Sequence, residues 1–139
     1  MSQQFPAPPI LVVEDSVEVR RSLEWLLRVE GYAVVTAVHG ADALRKLQAG
    51  LQPCLILLDL HMPEMDGFEF RKRQLEDPQL AEMPVVVYSD IRDPVAVIKQ
   101  LKPTAYVEKP LDLDKLLTVV EAHCHKPSTE TDPKLNRAS

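Results

Sequence analysis

Residues 55–59 read LILLD, and the stretch continues as LHMPEMDG to residue 67. Four branched apolar residues in a row, ended by a carboxylate, are not the pattern of a strand with one wet face, which alternates. An unbroken run implies a strand covered on both faces, as in a parallel sheet lying beneath helices. Two further runs, Ile10–Val13 and Val85–Tyr88, have the same character. Ala33–Ala37 and Ala105–Val107 are weaker strand signals, and Pro103 close before the last suits an edge position.

Helical patterns fill the intervals. Val19, Leu23, Leu26 and Leu27 mark one face after Ser16, a candidate N-cap, and Gly31 closes that segment. Ala41, Leu44 and Leu47 carry a second helix to Gly50. Phe68, Arg71, Lys72 and Leu75 fit a third, ended or followed by Pro78. Val95, Ile98 and Leu101 predict a fourth, with Asp93 as cap and Pro94 at its first position. Leu113, Leu116, Leu117, Val120 and Cys124 form the clearest stripe, capped by Asp112. Five strands alternating with five helices predict an α/β chain. Right-handed crossovers make it a doubly wound five-stranded parallel sheet.

Composition sets bounds on function. The chain has 139 residues, 27% of them charged and 45% apolar, which suits one globular domain. Its 21 acidic residues against 16 basic ones leave a net charge of −5, which disfavours nucleic acid as a partner. No apolar run approaches a membrane span, and the opening MSQQFPAPP lacks the features of a signal peptide. A cytoplasmic protein is expected. Cys54 and Cys124 offer no zinc or secretory framework, so buried reduced thiols are the expectation. Residues 1–8 and 126–139 read as flexible tails around a domain spanning 9–125, with no attached output domain.

In a doubly wound sheet, ligands gather at the carboxyl ends of the strands. Glu14 and Asp15 follow the first strand, Asp59 ends the third, Ser89 ends the fourth and Lys109 follows the fifth. Each alone has a plain reading: a capping or solvated carboxylate, a turn hydroxyl, a surface lysine. Their joint occurrence at one end of the sheet is what argues for a site. Three converging carboxylates require a cation, and Mg²⁺ (or Mn²⁺) suits hard oxygen ligands and a phosphate-bearing partner.

The segments VVEDS (12–16), LLDLHMPEMDG (57–67), VVYSD (86–90) and YVEKP (106–110) closely resemble the receiver domain of two-component response regulators, over about Pro9 to His125. The resemblance implies a flavodoxin-like (βα)5 fold with strand order 2-1-3-4-5. It implies that Asp59 is the phosphoacceptor, that Glu14 and Asp15 hold Mg²⁺ with Asp59, and that His61 contributes its backbone carbonyl. Ser89 and Lys109 would bind phosphoryl oxygens, and Tyr106 would be the aromatic switch residue. The Lys109–Pro110 bond is expected to be cis. A histidine kinase or phosphotransfer protein would be the donor, with an unknown protein downstream. The chain would be a monomer or a phosphorylation-dependent homodimer, and a signalling switch rather than an enzyme.

Two features depart from the family pattern. Asp90 stands where receivers usually carry Ala or Gly; its carboxylate either crowds the site or turns outward as a helix cap. Lys102-Pro103 replaces a common Gly-Ala. A receiver-like module indifferent to phosphorylation is therefore a second reading. A haloacid-dehalogenase-type phosphatase would want an Asp where His61 stands, and a flavin protein would want a hydroxyl- or glycine-rich loop where VEDSVE stands. His39, His123 and His125 make no credible metal set.

Overall fold

The computed structural model describes residues 7–62, 64–90 and 94–126. Elements alternate as β1 (Ile10–Val13), α1 (Val17–Val29), β2 (Val34–Ala37), α2 (Gly40–Gln48), β3 (Leu55–Asp59), α3 (Gly67–Glu76), β4 (Val85–Ser89), α4 (Pro94–Leu101), β5 (Ala105–Glu108) and α5 (Leu113–His123). All strand pairs are parallel, in the order β2-β1-β3-β4-β5. This is the flavodoxin-like arrangement, with β5 on an edge.

The unbroken apolar runs follow from two-sided burial. Leu11, Val13, Ile56, Leu58, Val85 and Val87 pack on the face covered by α2, α3 and α4. Their neighbours Ile10, Val12, Leu55, Leu57, Val86 and Tyr88 pack on the opposite face beneath α1 and α5. Leu23 and Leu27 of α1 and Leu116 and Val120 of α5 supply that second layer. Successive strand residues point to opposite faces, so neither face tolerates a polar position until the strand ends.

The helix boundaries have local causes. Ser16, Asp66 and Asp112 cap α1, α3 and α5 by accepting the amide hydrogens of Val19, Glu69 and Lys115. At α2 the cap is His39, whose Nδ1 accepts from the Asp42 amide at 3.1 Å, which leaves the ring proton on Nε2. Asp42 answers by accepting the Val38 amide at 3.0 Å. Burial alone would raise the Asp42 carboxyl. The Val38 hydrogen bond and the Lys46 and Arg45 charges outweigh it and hold the group below its ordinary value. Helices α1 and α2 end in paired carbonyl contacts. Gly31 and Gly50 donate to Arg28 and Leu47, and Tyr32 and Leu51 donate to Leu27 and Lys46. Both glycines have positive φ, 102° and 116°, the left-handed position that closes such a motif.

One expectation is overturned. Cys54 and Cys124 form a disulfide, with Cα atoms 5.4 Å apart, instead of two reduced thiols. The fold sets the residue before β3 against the C-cap of α5, a proximity that a separation of 70 residues conceals. Helix α4 begins at Pro94 as its sequence predicts, while its expected cap Asp93 lies outside the described residues. Residues 1–6 and 127–139, most of the expected tails, lie outside them too. None of the described helices is long and apolar enough to cross a membrane.

Candidate functional site

The parallel register places Val13, Ala37, Asp59, Ser89 and Glu108 at one rim of the sheet. Side chains just beyond these points converge there. Asp59 is the last residue of β3 and is 3% exposed, while Ser89 ends β4 with no exposed surface. Glu14 continues β1 by one residue, its amide donating to Ala37 at 3.1 Å, and its side chain is 2% exposed. Asp15, the next residue, is exposed. One carboxylate oxygen from each of Glu14, Asp15 and Asp59 lies within 4.8 Å of the others.

The loop from β3 to α3 is held tightly beside Asp59. The Gly67 amide donates to Leu60 at 2.9 Å. A Cβ on Gly67 would lie 2.7 Å from the Asp59 carbonyl oxygen and 2.8 Å from Leu60 Cα, so only glycine allows α3 to start there. This explains physically why the motif that begins at Asp59 ends in glycine.

Lys109 approaches from β5. Its Nζ lies 3.2 Å from Asp59 Oδ1 and 4.8 Å from the centre of the Tyr88 ring. Burial would lower the ammonium's pKa, but the Asp59 charge and hydrogen bond, with Glu14 and Tyr88 adding, hold it above its usual value. The Lys109 amide donates to the Ser89 carbonyl at 3.0 Å, and the Lys109–Pro110 bond is cis. The Tyr106 hydroxyl donates to that same carbonyl at 3.5 Å. Tyr106 is half-buried against the cluster beneath α3 and α4.

Glu14 carries the site's main electrostatic tension. Burial, opposed by the Ser16 amide and reinforced by the Asp59 charge, pushes its carboxyl up to about 7. Its Oε2 accepts from Ser16 at 3.1 Å, whereas Oε1 is buried without a hydrogen-bond partner among the described residues. A buried carboxylate oxygen without a donor, beside two further carboxylates, suits a hard divalent cation. The residues present therefore fit Mg²⁺.

The structure thus brings together Glu14, Asp15, Asp59, Ser89 and Lys109, with Tyr106 joined through the Ser89 backbone. His61 follows two residues after Asp59 and its side chain is exposed. Asp90 is exposed as well. Two contributors have no motif in the sequence. Arg20 Nη1 donates to the carbonyls of Glu14 and Asp15 at 2.9 and 3.4 Å, pinning the acidic loop from the first turns of α1. Tyr88 lies beneath the Lys109 ammonium and shows in sequence only as a core aromatic.

Comparison with known proteins adds three findings. A profile of the response regulator receiver domain matches residues 10–121. Protein PilG of Pseudomonas aeruginosa is 32% identical over 126 residues, covering 88% of this chain and 92% of that protein. Two solved structures share the fold: the chemotaxis protein CheY4 of Vibrio cholerae (TM-score 0.73, 29% identity, 83% of this chain and 97% of that one), and the response regulator TrrA of Thermotoga maritima in complex with Mg²⁺-BeF (TM-score 0.72, 27% identity, 82% and 96%).

Proposed function

The chain belongs to the response regulator receiver family, and from that membership and the rim geometry we propose that it is a phosphorylation switch whose acceptor is Asp59. The observation that carries this reading is the buried Asp59 carboxylate, held by Lys109 and set within 4.8 Å of two further carboxylate ligands.

Phosphoryl transfer is governed by placement and charge compensation more than by covalent assistance. Glu14, Asp15 and Asp59, with the His61 backbone carbonyl, would hold Mg²⁺, which when bound offsets the negative charge of the phosphoryl oxygens. The Lys109 ammonium fixes the orientation of Asp59 through Oδ1. An Asp59 oxygen attacks phosphorus in line with the leaving group. The P–N bond to the imidazole of a histidine kinase or phosphotransfer protein breaks, and the imidazole departs with that electron pair and takes a proton. Asp59 is left as an acyl phosphate. The Ser89 hydroxyl then donates to one phosphoryl oxygen and Lys109 to another.

The signal leaves the site along the Ser89 backbone. Lys109 and Tyr106 both donate to the Ser89 carbonyl, so a shift at the end of β4 is felt by β5 and by the Tyr106 ring. New acceptor oxygens on Asp59 draw Ser89 and Lys109 inward, and Tyr106 follows. The surface of α4 and β5 changes in consequence and is read by a downstream protein. The chain acts once per phosphorylation event, as a switch and not as a turnover enzyme. Asp90 is the main argument for indifference to phosphorylation, and the joint presence of Glu14, Asp15, Asp59, Ser89 and Lys109 speaks against it.

Incubation with acetyl phosphate and Mg²⁺, followed by intact mass, tests the reading. A single phosphoryl adduct that needs the metal and is missing from Asp59→Asn supports it. An equal adduct on Asp59→Asn refutes it.

A further inference from the structure

Helix α4 is thinly attached to the rest of the fold. Only Val97 and Leu101 of its eight residues are buried. A groove of about 640 Å³ opens between α3 and its carboxyl end, lined by Phe68, Lys72, Leu75 and Gln100 among others. Arg71 lines that groove and spans from α3 to the end of α4. Arg71 of α3 is 7% exposed. Its Nε donates to the Leu101 carbonyl at 2.9 Å and its Nη2 to the Lys102 carbonyl at 2.8 Å. Lys102 itself stands at φ 48°.

The third arm of the guanidinium is committed as well. Nη1 donates to Gln74 Oε1 at 2.8 Å. Gln74 is fully buried, and its Nε2 donates to Leu80 and Met83 at 2.9 and 3.1 Å. The last carbonyls of α4 are therefore tied, through one arginine and one glutamine, to the turn that leads into β4. Thr104 completes the anchor: its amide donates to the Val85 carbonyl at 2.8 Å and its hydroxyl accepts from the Val85 amide at 3.2 Å. A cation at the negative end of a helix is favourably placed, and the guanidinium's fixed fork suits three acceptors at once. Among the described residues all three hydrogen bonds of Arg71 go to neutral acceptors and none to a carboxylate, so its charge is spent on positioning α4.

We propose that Arg71 is a positioning residue of the switch: it makes the carboxyl end of α4 a fixed point, so that rearrangement at Ser89 turns the helix about that end. This rests on the phosphorylation reading above. The amino end of α4 starts at Pro94, five residues after Ser89, whereas the anchored end lies beside the start of β4, at the opposite rim of the sheet from Asp59. A helix of this length is about 12 Å long, so a tilt of roughly 10° moves its first turn by about 2 Å and its last turn hardly at all. The exposed Val95 of the first turn travels furthest, which localises the surface change to be read.

The test uses the full chain, labelled with ¹⁵N, before and after acetyl phosphate and Mg²⁺, with intact mass recorded on the same samples. In the wild type, amide shifts on phosphorylation are large at Val95–Val97 and small at Leu101–Lys102. In Arg71→Met the change spreads through Leu101 and Lys102, and their hydrogen exchange is roughly ten-fold faster, the scale of one lost hydrogen bond from a charged donor. Arg71→Lys, which keeps the charge but not the fork, gives an intermediate result and serves if the methionine variant fails to fold. A merely structural arginine would lower stability and leave the distribution of shifts unchanged. That outcome in both variants overturns the proposal, as do wild-type shifts of equal size at the two ends. Absence of a mass adduct on the wild type would instead overturn the phosphorylation reading, and the pivot with it.

Discussion

Replacing Glu14 with glutamine exchanges a buried carboxylate for a neutral group of the same shape that can still accept the Ser16 amide. The Glu14 carboxyl sits at about 7 in the folded chain against 4.5 ordinarily, chiefly through burial. A carboxyl raised by folding binds a proton more tightly in the folded state. Stability therefore falls as pH rises from 4.5 through about 7, and the penalty is complete above that window. At about 1.36 kcal/mol per unit, the ceiling is roughly 3 kcal/mol, which screening through the exposed Asp15 side of the cluster reduces to about 1–2 kcal/mol. In EDTA at pH 8, Glu14→Gln should therefore melt about 3–8 °C above the wild type, and at pH 4.5 the difference should vanish. Millimolar Mg²⁺ at pH 8 should narrow or reverse the gap, because the cation offsets the charge the wild type carries. Thermal unfolding followed by circular dichroism at both pH values reads these differences. A gap of equal size at pH 4.5 and pH 8, or a glutamine variant less stable than wild type at pH 8 in EDTA, refutes the reasoning.

Three other perturbations have definite outcomes. Gly67→Ala puts a Cβ 2.7 Å from the Asp59 carbonyl oxygen; a loss of about 2–4 kcal/mol in urea unfolding is expected, with slower phosphorylation by acetyl phosphate. Asp42→Asn removes the charge that pairs with Arg45 and Lys46 at 2.7 and 3.3 Å and should destabilise the fold by about 1–2 kcal/mol at pH 7. Because folding lowers the Asp42 pKa, its stabilisation is present above the ordinary value of 3.8 and fades as pH falls through the folded one, so the gap should close in acid. Reduction of the Cys54–Cys124 bridge, which spans 70 residues, should remove up to about 4 kcal/mol of chain-entropy stabilisation. A melting temperature insensitive to dithiothreitol in the wild type, or sensitive to it in the Cys54→Ser/Cys124→Ser variant, contradicts that account.

The parts legible in the sequence are those encoded over short distances or repeated at equivalent points. Three unbroken apolar runs announced strands buried on both faces, and Ser16, Asp112 and Gly31 marked helix ends through contacts with near neighbours. Glu14, Asp15, Asp59, Ser89 and Lys109 were visible because parallel strands bring every strand's carboxyl end to the same rim. The rest depends on contacts between distant positions. Cys54 meets Cys124 only when β3 and α5 are packed, and Arg71 meets Leu101 and Lys102 only when α4 has crossed beside α3. In sequence, Arg71 reads as an ordinary polar position on the third helix. His39 makes no credible metal set in the sequence, and its role as the cap of α2 requires an Asx-like geometry that histidine seldom advertises. The orphaned oxygen of Glu14 depends on its burial in the folded chain, which no local pattern states.

The proposed switch stands or falls on phosphorylation of Asp59. Treatment with acetyl phosphate and Mg²⁺, trapping with sodium borohydride and peptide mass spectrometry locate the modified carboxyl, since borohydride reduces an acyl phosphate to homoserine. Homoserine at position 59 alone, formed only with the metal present, is the predicted result. Homoserine at position 15, hydroxynorvaline at position 14, or no homoserine at 59 while an adduct is present, contradicts the account.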